Sequence, residues 1–247
     1  MRVTFDSNTW EPVFDPLDRN WAPVRSAIIS GRIAGFICEA GFRIEAIRKR
    51  ERTAYFAEPA MGVQFPLSTV IINGKPHVQI MSIGPDDERH PGLPEVQSSR
   101  LKNALAAGVR LMRGGAWMGL PSPVEIRDPA LFVQTNDPDR EKRQIDASAR
   151  IETRGIGKAA FDAADGWNAQ PGASYNEKIF AKACAEWADG ELVAAHIAYR
   201  NDVLCTNDLA RAAGASIFDP TNRAWLTAEF GVRFATLEEL AEKLSSL

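Results

Sequence analysis

The chain is poor in the residues that staple or metallate a small fold. Of its 247 residues only three are Cys and three are His. Cys38, Cys184 and Cys205 are widely spaced, form no CxxC pair and sit among apolar or small neighbours, which speaks against a disulfide framework and against a thiolate zinc site. A basic excess is also missing. The 29 Lys and Arg are outnumbered by 32 Asp and Glu, for a net charge of −3, so any phosphate-rich partner must be held locally rather than by the field of the whole molecule. No uninterrupted apolar stretch has the length of a membrane span or a signal peptide, and the expected location is the cytoplasm. The motifs GxxxxGK[ST], GxGxxG after the first strand and GxSxG are absent, which removes support for nucleotide-dependent transfer, dinucleotide redox chemistry and nucleophile-elbow hydrolysis.

What is present is globular composition, 45% hydrophobic and 25% charged, with enough length to bury a substantial core. Residues 2–5 predict a strand that stops at the turn-forming trio Asp6-Ser7-Asn8. A helix over 23–30, closed by Gly31, leads to a second strand over 33–38 and a helix over 40–48 with basic residues in its last turn. From about 52 to 140 the rhythm changes. Strand-like runs at 68–72 and 77–83 flank Asn73-Gly74, a hairpin signal because tight turns need positive φ, and a helix is predicted over 94–112. Alternation then resumes with helices over 139–151, 176–186 and 189–199, a strand over 203–206 and a helix over 223–230. A last helix is opened by Thr236 with Glu239 three residues on, a capping-box arrangement. The expected fold class is α/β. It is a three-layer α/β/α domain around a central, mostly parallel sheet, one domain over 1–247, interrupted by an insertion at about 53–140 with a hairpin and a helix.

Four acids stand out against that order. In open parallel sheets ligands gather beyond the carboxyl ends of the strands, and Asp6 and Asp208 directly follow predicted strands. Helices of βαβ units run back along the sheet, so a residue in a helix's opening turns returns to the same edge. Asp189 opens a predicted helix, and Glu45 lies in the helix after strand two. Carboxylates crowded there repel one another unless protons or cations neutralise them, and hard divalent cations with open water positions, Mg²⁺ or Mn²⁺, suit oxygen donors. Glu39 and Glu191 adjoin the chosen acids and compete with them. Positions two apart on a helix diverge by about 200°, so Asp189 and Glu191 do not both face inward, and Asp189 is preferred at the helix start.

The segments FDSNT, FRIEAI and ADGELVAAHIAYRNDVLCTND resemble the PIN domain family of metal-dependent ribonucleases, over roughly residues 1–50 and 175–245. The resemblance implies a PIN-like fold and an endoribonuclease site of Asp6, Glu45, Asp189 and Asp208. In it Asp6, Asp189 and Asp208 hold Mg²⁺ or Mn²⁺, and Asn8 and Thr206 are polar supports. It also implies an RNA substrate and, for a toxin of a toxin–antitoxin pair, an antitoxin or other protein partner, with homo-oligomers compatible and no membrane involved. The inserted middle has no counterpart in the family's compact domains.

Each residue also has a local rationale. Asp favours turn and cap positions, and Glu45 before Arg48 makes an ordinary helix pair. His196 lies on an apolar helix stripe and reads as packed core, while His77 and His90 receive no role. The clusters Arg48-Lys49-Arg50-Arg52 and Arg140, Lys142 and Arg143 read as solvated helix ends more than as phosphate grips, and the dispersed Trp residues read as core. Two alternatives stand beside the ribonuclease. One is a catalytically inactive PIN-like module that binds RNA or protein. The other is a haloacid-dehalogenase-like phosphatase, since Asp6-Ser7-Asn8-Thr9 resembles that family's opening Asp-x-Asp, although Asn8 replaces the second Asp.

Overall fold

The computed structural model describes residues 1–48, 51–52, 55, 61–63, 69–72, 75–78, 83–85, 87–115, 120–166, 176–210 and 216–245, with backbone alone for 45, 61–63, 69–72, 76–78 and 83–85. In chain order these form β1 (Arg2–Phe5), α1 (Ser7–Val13), α2 (Ala22–Ile29), β2 (Ala34–Cys38) and a π-helical turn (Gly41–Glu45). Next come β3 (Met61–Val63), β4 (Thr69–Ile72), β5 (Lys75–Val78), β6 (Ile83–Pro85), α3 (Glu95–Ala106) and β7 (Arg110–Met112). The remainder is α4 (Arg140–Glu152), α5 (Lys158–Ala163), α6 (Glu177–Ala198), β8 (Val203–Cys205), α7 (Pro220–Phe230), β9 (Phe234–Ala235) and α8 (Leu237–Ser245).

Five strands form one sheet in the order β7-β2-β1-β8-β9, and every neighbouring pair is parallel. The period of two along each strand builds a core on both sides. Phe36, Cys38, Met112 and Leu204 face α4 to α7, whereas Val3, Phe5, Ile37, Leu111, Val203 and Cys205 face α1, α2, α3 and α8. Both faces are covered, as an all-parallel sheet requires.

Polar groups buried on the central strand and beside it are paired. Thr4, fully buried on β1, accepts from Asn201 Nδ2 at 2.8 Å and lies 2.9 Å from His196 Nδ1. Having accepted from the amide, the Thr4 hydroxyl has its own proton for His196 Nδ1, which suits a neutral imidazole whose pKa burial pushes down to about 4. His196 is a core histidine, as its stripe implied. The capping box also forms, with Glu239 Oε2 accepting from Thr236 N–H at 2.8 Å and Thr236 Oγ1 accepting from Glu239 N–H at 3.2 Å.

Three expectations need correction. The stretch 53–140 is not wholly an insertion, because β7 is an edge strand of the main sheet and α3 packs in the core below it. The helix expected over 94–112 stops at Ala106, since Gly108 takes φ 103° and Val109 and Leu111 turn into the sheet core. The separate helices expected at 176–186 and 189–199 are one continuous α6. The elements α1, β3, α5 and β9 were not anticipated. The hairpin strands β4 and β5 do pair antiparallel, while the Asn73-Gly74 turn lies outside the described residues.

Gly190, inside α6, has a packing reason. It packs against the backbone at the start of α5, where a Cβ on Gly190 would lie 2.8 Å from Gly157 Cα, and Gly157 itself has φ 64°. The glycine admits a neighbouring backbone rather than ending a helix. Gly190→Ala should therefore destabilise the fold by about 1–3 kcal/mol, the cost of overpacking a close contact. Urea unfolding measures it, and an unchanged midpoint would remove this account of the Gly190 contact.

Candidate metal and nuclease site

The strand order turns at the centre of the sheet. From β1 the chain moves to β2 and β7 on one side, then enters β8 and β9 on the other, so a crevice opens beyond the carboxyl ends of β1 and β8. Asp6 is the first residue after β1 and Thr206 the first after β8. Asp6 N–H donates to Cys205 O at 3.0 Å, and Thr9 Oγ1 lies 2.8 Å from Asp6 O and 3.0 Å from Cys205 O, stitching the two strand ends together.

The Asp6 carboxylate is held from two sides. Its Oδ1 accepts from Ser7 N–H at 2.6 Å, and its Oδ2 accepts from Asn8 Nδ2 and Thr206 Oγ1, each at 2.7 Å. The supports are themselves fixed: Asn8 Oδ1 accepts from Asn207 N–H at 2.9 Å, and Thr206 Oγ1 accepts from Asp208 N–H at 3.1 Å. Asp6 is 5% exposed, and burial holds its pKa above the ordinary carboxylate value. The Thr206, Ser7 and Asn8 hydrogen bonds oppose that rise, and the Asp208 charge adds to it.

Asp189 reaches the same place by a route other than the one expected. It lies in the middle of α6, yet together with Asp6, Ser7, Cys38, Phe42 and Gln97 it lines one narrow cavity. About 10 Å³ of that cavity is open to a water-sized sphere, room for roughly one water or one ion and not for a nucleotide. Glu191, two positions on, turns elsewhere, and its Oε2 accepts from Gly115 N–H at 2.7 Å.

Asp208 is exposed, and its Oδ1 accepts from Ala210 N–H at 2.7 Å, so the carboxylate is turned along its own loop. Among the described residues no three His, Cys, Asp or Glu side chains stand close enough to hold one ion. The Glu45 side chain lies outside the described residues. Of the four acids, Asp6 and Asp189 line one cavity, and the charge of the exposed Asp208 adds to the rise in the Asp6 pKa.

Other candidates are absorbed by the fold. Glu39 takes Gly114 N–H at 2.8 Å and pairs with Arg43 at 3.1 Å and Arg113 at 3.4 Å. Arg52 is not a solvated helix end. It is buried and donates to Ile47 O and Ala181 O, each at 2.9 Å, while Lys49 and Arg50 lie outside the described residues. Arg143 is spent on Asp137 and on Ala198 O, and Arg140 bonds Gln144 at 2.6 Å. His90 is buried, with Nδ1 accepting from Gly92 N–H at 3.1 Å, so Nε2 carries the proton toward Phe42 O at 3.1 Å. Trp10 and Trp187 are core, whereas Trp117 and Trp167 lie outside the described residues.

Sequence reasoning missed Arg223 and Gln97. Arg223 is half-buried over the Phe234 ring at 4.7 Å, bonds the Asp208 carbonyl and brings a positive charge into the field of Asp6, Asp208 and Glu239. Neither residue carries a motif; only the folded positions of α7 and α3 reveal them. No protein-family model, curated protein sequence or solved structure matches the chain, so the site is judged by its own chemistry. Asp6, Ser7, Gln97 and Asp189 bring oxygen-bearing side chains to a lining that is otherwise apolar, glycine or Cys38, and a buried carboxylate beside the Asp208 charge is one that positive charge would relieve.

Proposed function

We propose that the chain is a Mg²⁺- or Mn²⁺-dependent endoribonuclease that hydrolyses RNA phosphodiester bonds, as the resemblance to PIN domains implies. The observation that supports it most is Asp6, a buried carboxylate at the switch point of an all-parallel sheet, sharing a cavity with Asp189 and facing the charge of Asp208. Asp6 and Asp189 would hold the ion, with Asp208 and Glu45 as the further acids. The ion would supply positive charge for the phosphodiester and acidity for an attacking water.

The protein's own part is orientation. Thr206 and Asn8 fix Asp6 Oδ2, and Ser7 N–H fixes Oδ1, so the carboxylate is set before any ligand arrives. The cavity admits only an ion or a water, so RNA would cross its rim on the side of the exposed Asp208. Asn8 weighs against the phosphatase alternative: both ends of its amide are engaged, and an amide has no proton to give a leaving group.

The test is incubation of single-stranded RNA with Mn²⁺ or with EDTA, alongside calorimetry of Mn²⁺ binding. Endonucleolytic cleavage that EDTA abolishes is the expected result. RNA binding without cleavage under any metal would favour the inactive module, and release of phosphate from monoesters alone would favour the phosphatase. An antitoxin partner belongs to the same proposal and would be expected to cover this rim.

A further inference from the structure

We infer that Arg223 grips a phosphate of the RNA backbone at the rim beside Asp208, an inference that rests on the ribonuclease function proposed above. Arg223 lies in the first turn of α7, and it is partly exposed.

Backbone carbonyls and aromatic rings hold the guanidinium in place. Its Nε donates to Phe218 O at 2.9 Å, and its Nη2 donates to Asp208 O. The group stands over the Phe234 ring at 4.7 Å and the Phe218 ring at 5.8 Å. Neither carbonyl cancels its charge, and among the described residues no carboxylate pairs with it. Nη1 has no hydrogen-bond partner among the described residues and is not enclosed, so its two N–H groups reach solvent. Arginines elsewhere in the chain are spent on acids, as Arg143 is on Asp137 and Arg100 on Asp15.

Anchored donors with an uncancelled charge are what a phosphate at this rim needs. The chain carries a net charge of −3, and Asp6, Asp208 and Glu239 all act on this neighbourhood, so an RNA backbone meets repulsion unless a local cation offsets it. Arg223 is bonded to the backbone of Asp208 itself, which puts its charge where RNA would cross. A guanidinium presents a fork of donors that matches phosphate oxygens, and one already ordered loses little freedom on binding.

The experiment is fluorescence anisotropy of a labelled single-stranded RNA, with Ca²⁺ in place of Mn²⁺ to keep the RNA intact, on wild type, Arg223→Gln and Arg223→Lys from low to high KCl. Near-ultraviolet circular dichroism confirms folding, and Mn²⁺ calorimetry reads the acid site. In Arg223→Gln the RNA affinity should fall about tenfold or more at low salt. The slope of log affinity against log salt should shrink by about 0.7, the share of one phosphate contact on a single strand. Arg223→Lys keeps the charge without the fork, so it should keep the slope and lose about threefold or more in affinity, serving as the test if the Gln variant misfolds. Unchanged RNA affinity in a folded variant, an unchanged salt slope in Arg223→Gln, or Mn²⁺ affinity that falls along with RNA affinity overturns the role of Arg223 alone. Failure of the wild-type protein to bind RNA overturns both the role and the ribonuclease function.

Discussion

Asp6→Asn should lower Mn²⁺-dependent RNA cleavage by about 10²-fold or more, the scale set by losing one preorganised charge-stabilising group, while leaving the protein folded. Asn has the shape of Asp, so the packing around position 6 is retained. Its oxygen can still accept from Thr206 and Asn8, but its nitrogen then faces Ser7 N–H, two donors where one pair bonded before. That mismatch costs about 1–3 kcal/mol. Removing a buried negative charge whose pKa burial already holds high offsets part of it. Stability should move little, and Mn²⁺ affinity and cleavage should fall together. Near-wild-type cleavage by a folded Asp6→Asn protein would end the nuclease proposal.

Glu191→Gln should stabilise the protein at alkaline pH and not at acid pH. Glu191 is 2% exposed, and burial, with the charges of Glu152 and Glu39 adding, pushes its pKa from 4.5 up to about 7 against the Gly115 N–H bond that favours the anion. The folded protein therefore holds this proton longer than the unfolded chain does. Between about pH 4.5 and 7 the folded state binds more protons, so stability falls as pH rises through that window and the whole penalty is present above it. A rise from 4.5 to about 7 corresponds to about 3 kcal/mol. Gln keeps an oxygen for Gly115 N–H and carries no charge. Urea unfolding should show Glu191→Gln more stable than wild type by up to about 3 kcal/mol at pH 8, with little of that gain at pH 4.5. An equal gain at both pH values, or none at pH 8, would contradict the assignment of this carboxyl.

The acids singled out in the sequence are placed differently, residue by residue. Asp6 and Thr206 could be placed from sequence, because a residue just past a parallel strand lies at the ligand edge whatever the rest of the fold does. Asp189 was expected at a helix start. It lies mid-helix in α6 and lines the cavity there. Glu39 and Glu191 were indistinguishable from site acids in sequence. In the structure they take Gly114 and Gly115 N–H and hold the loop after β7, an outcome fixed by a strand that the sequence suggested was helix.

The sequence by itself determined the α/β class, the first strand and its acidic stop, the carboxyl-edge positions of Asp6 and Asp208, the capping box of the last helix and the core role of His196. These follow from local periodicity and turn chemistry, which need no distant partner. Tertiary structure alone decided that residues 110–112 join the sheet, that α6 is unbroken, that Arg52 is buried and that Gln97 lines the cavity beside Asp6 and Asp189. Each of those depends on contacts between segments far apart in the chain, where packing overrides local preference and leaves no periodic trace.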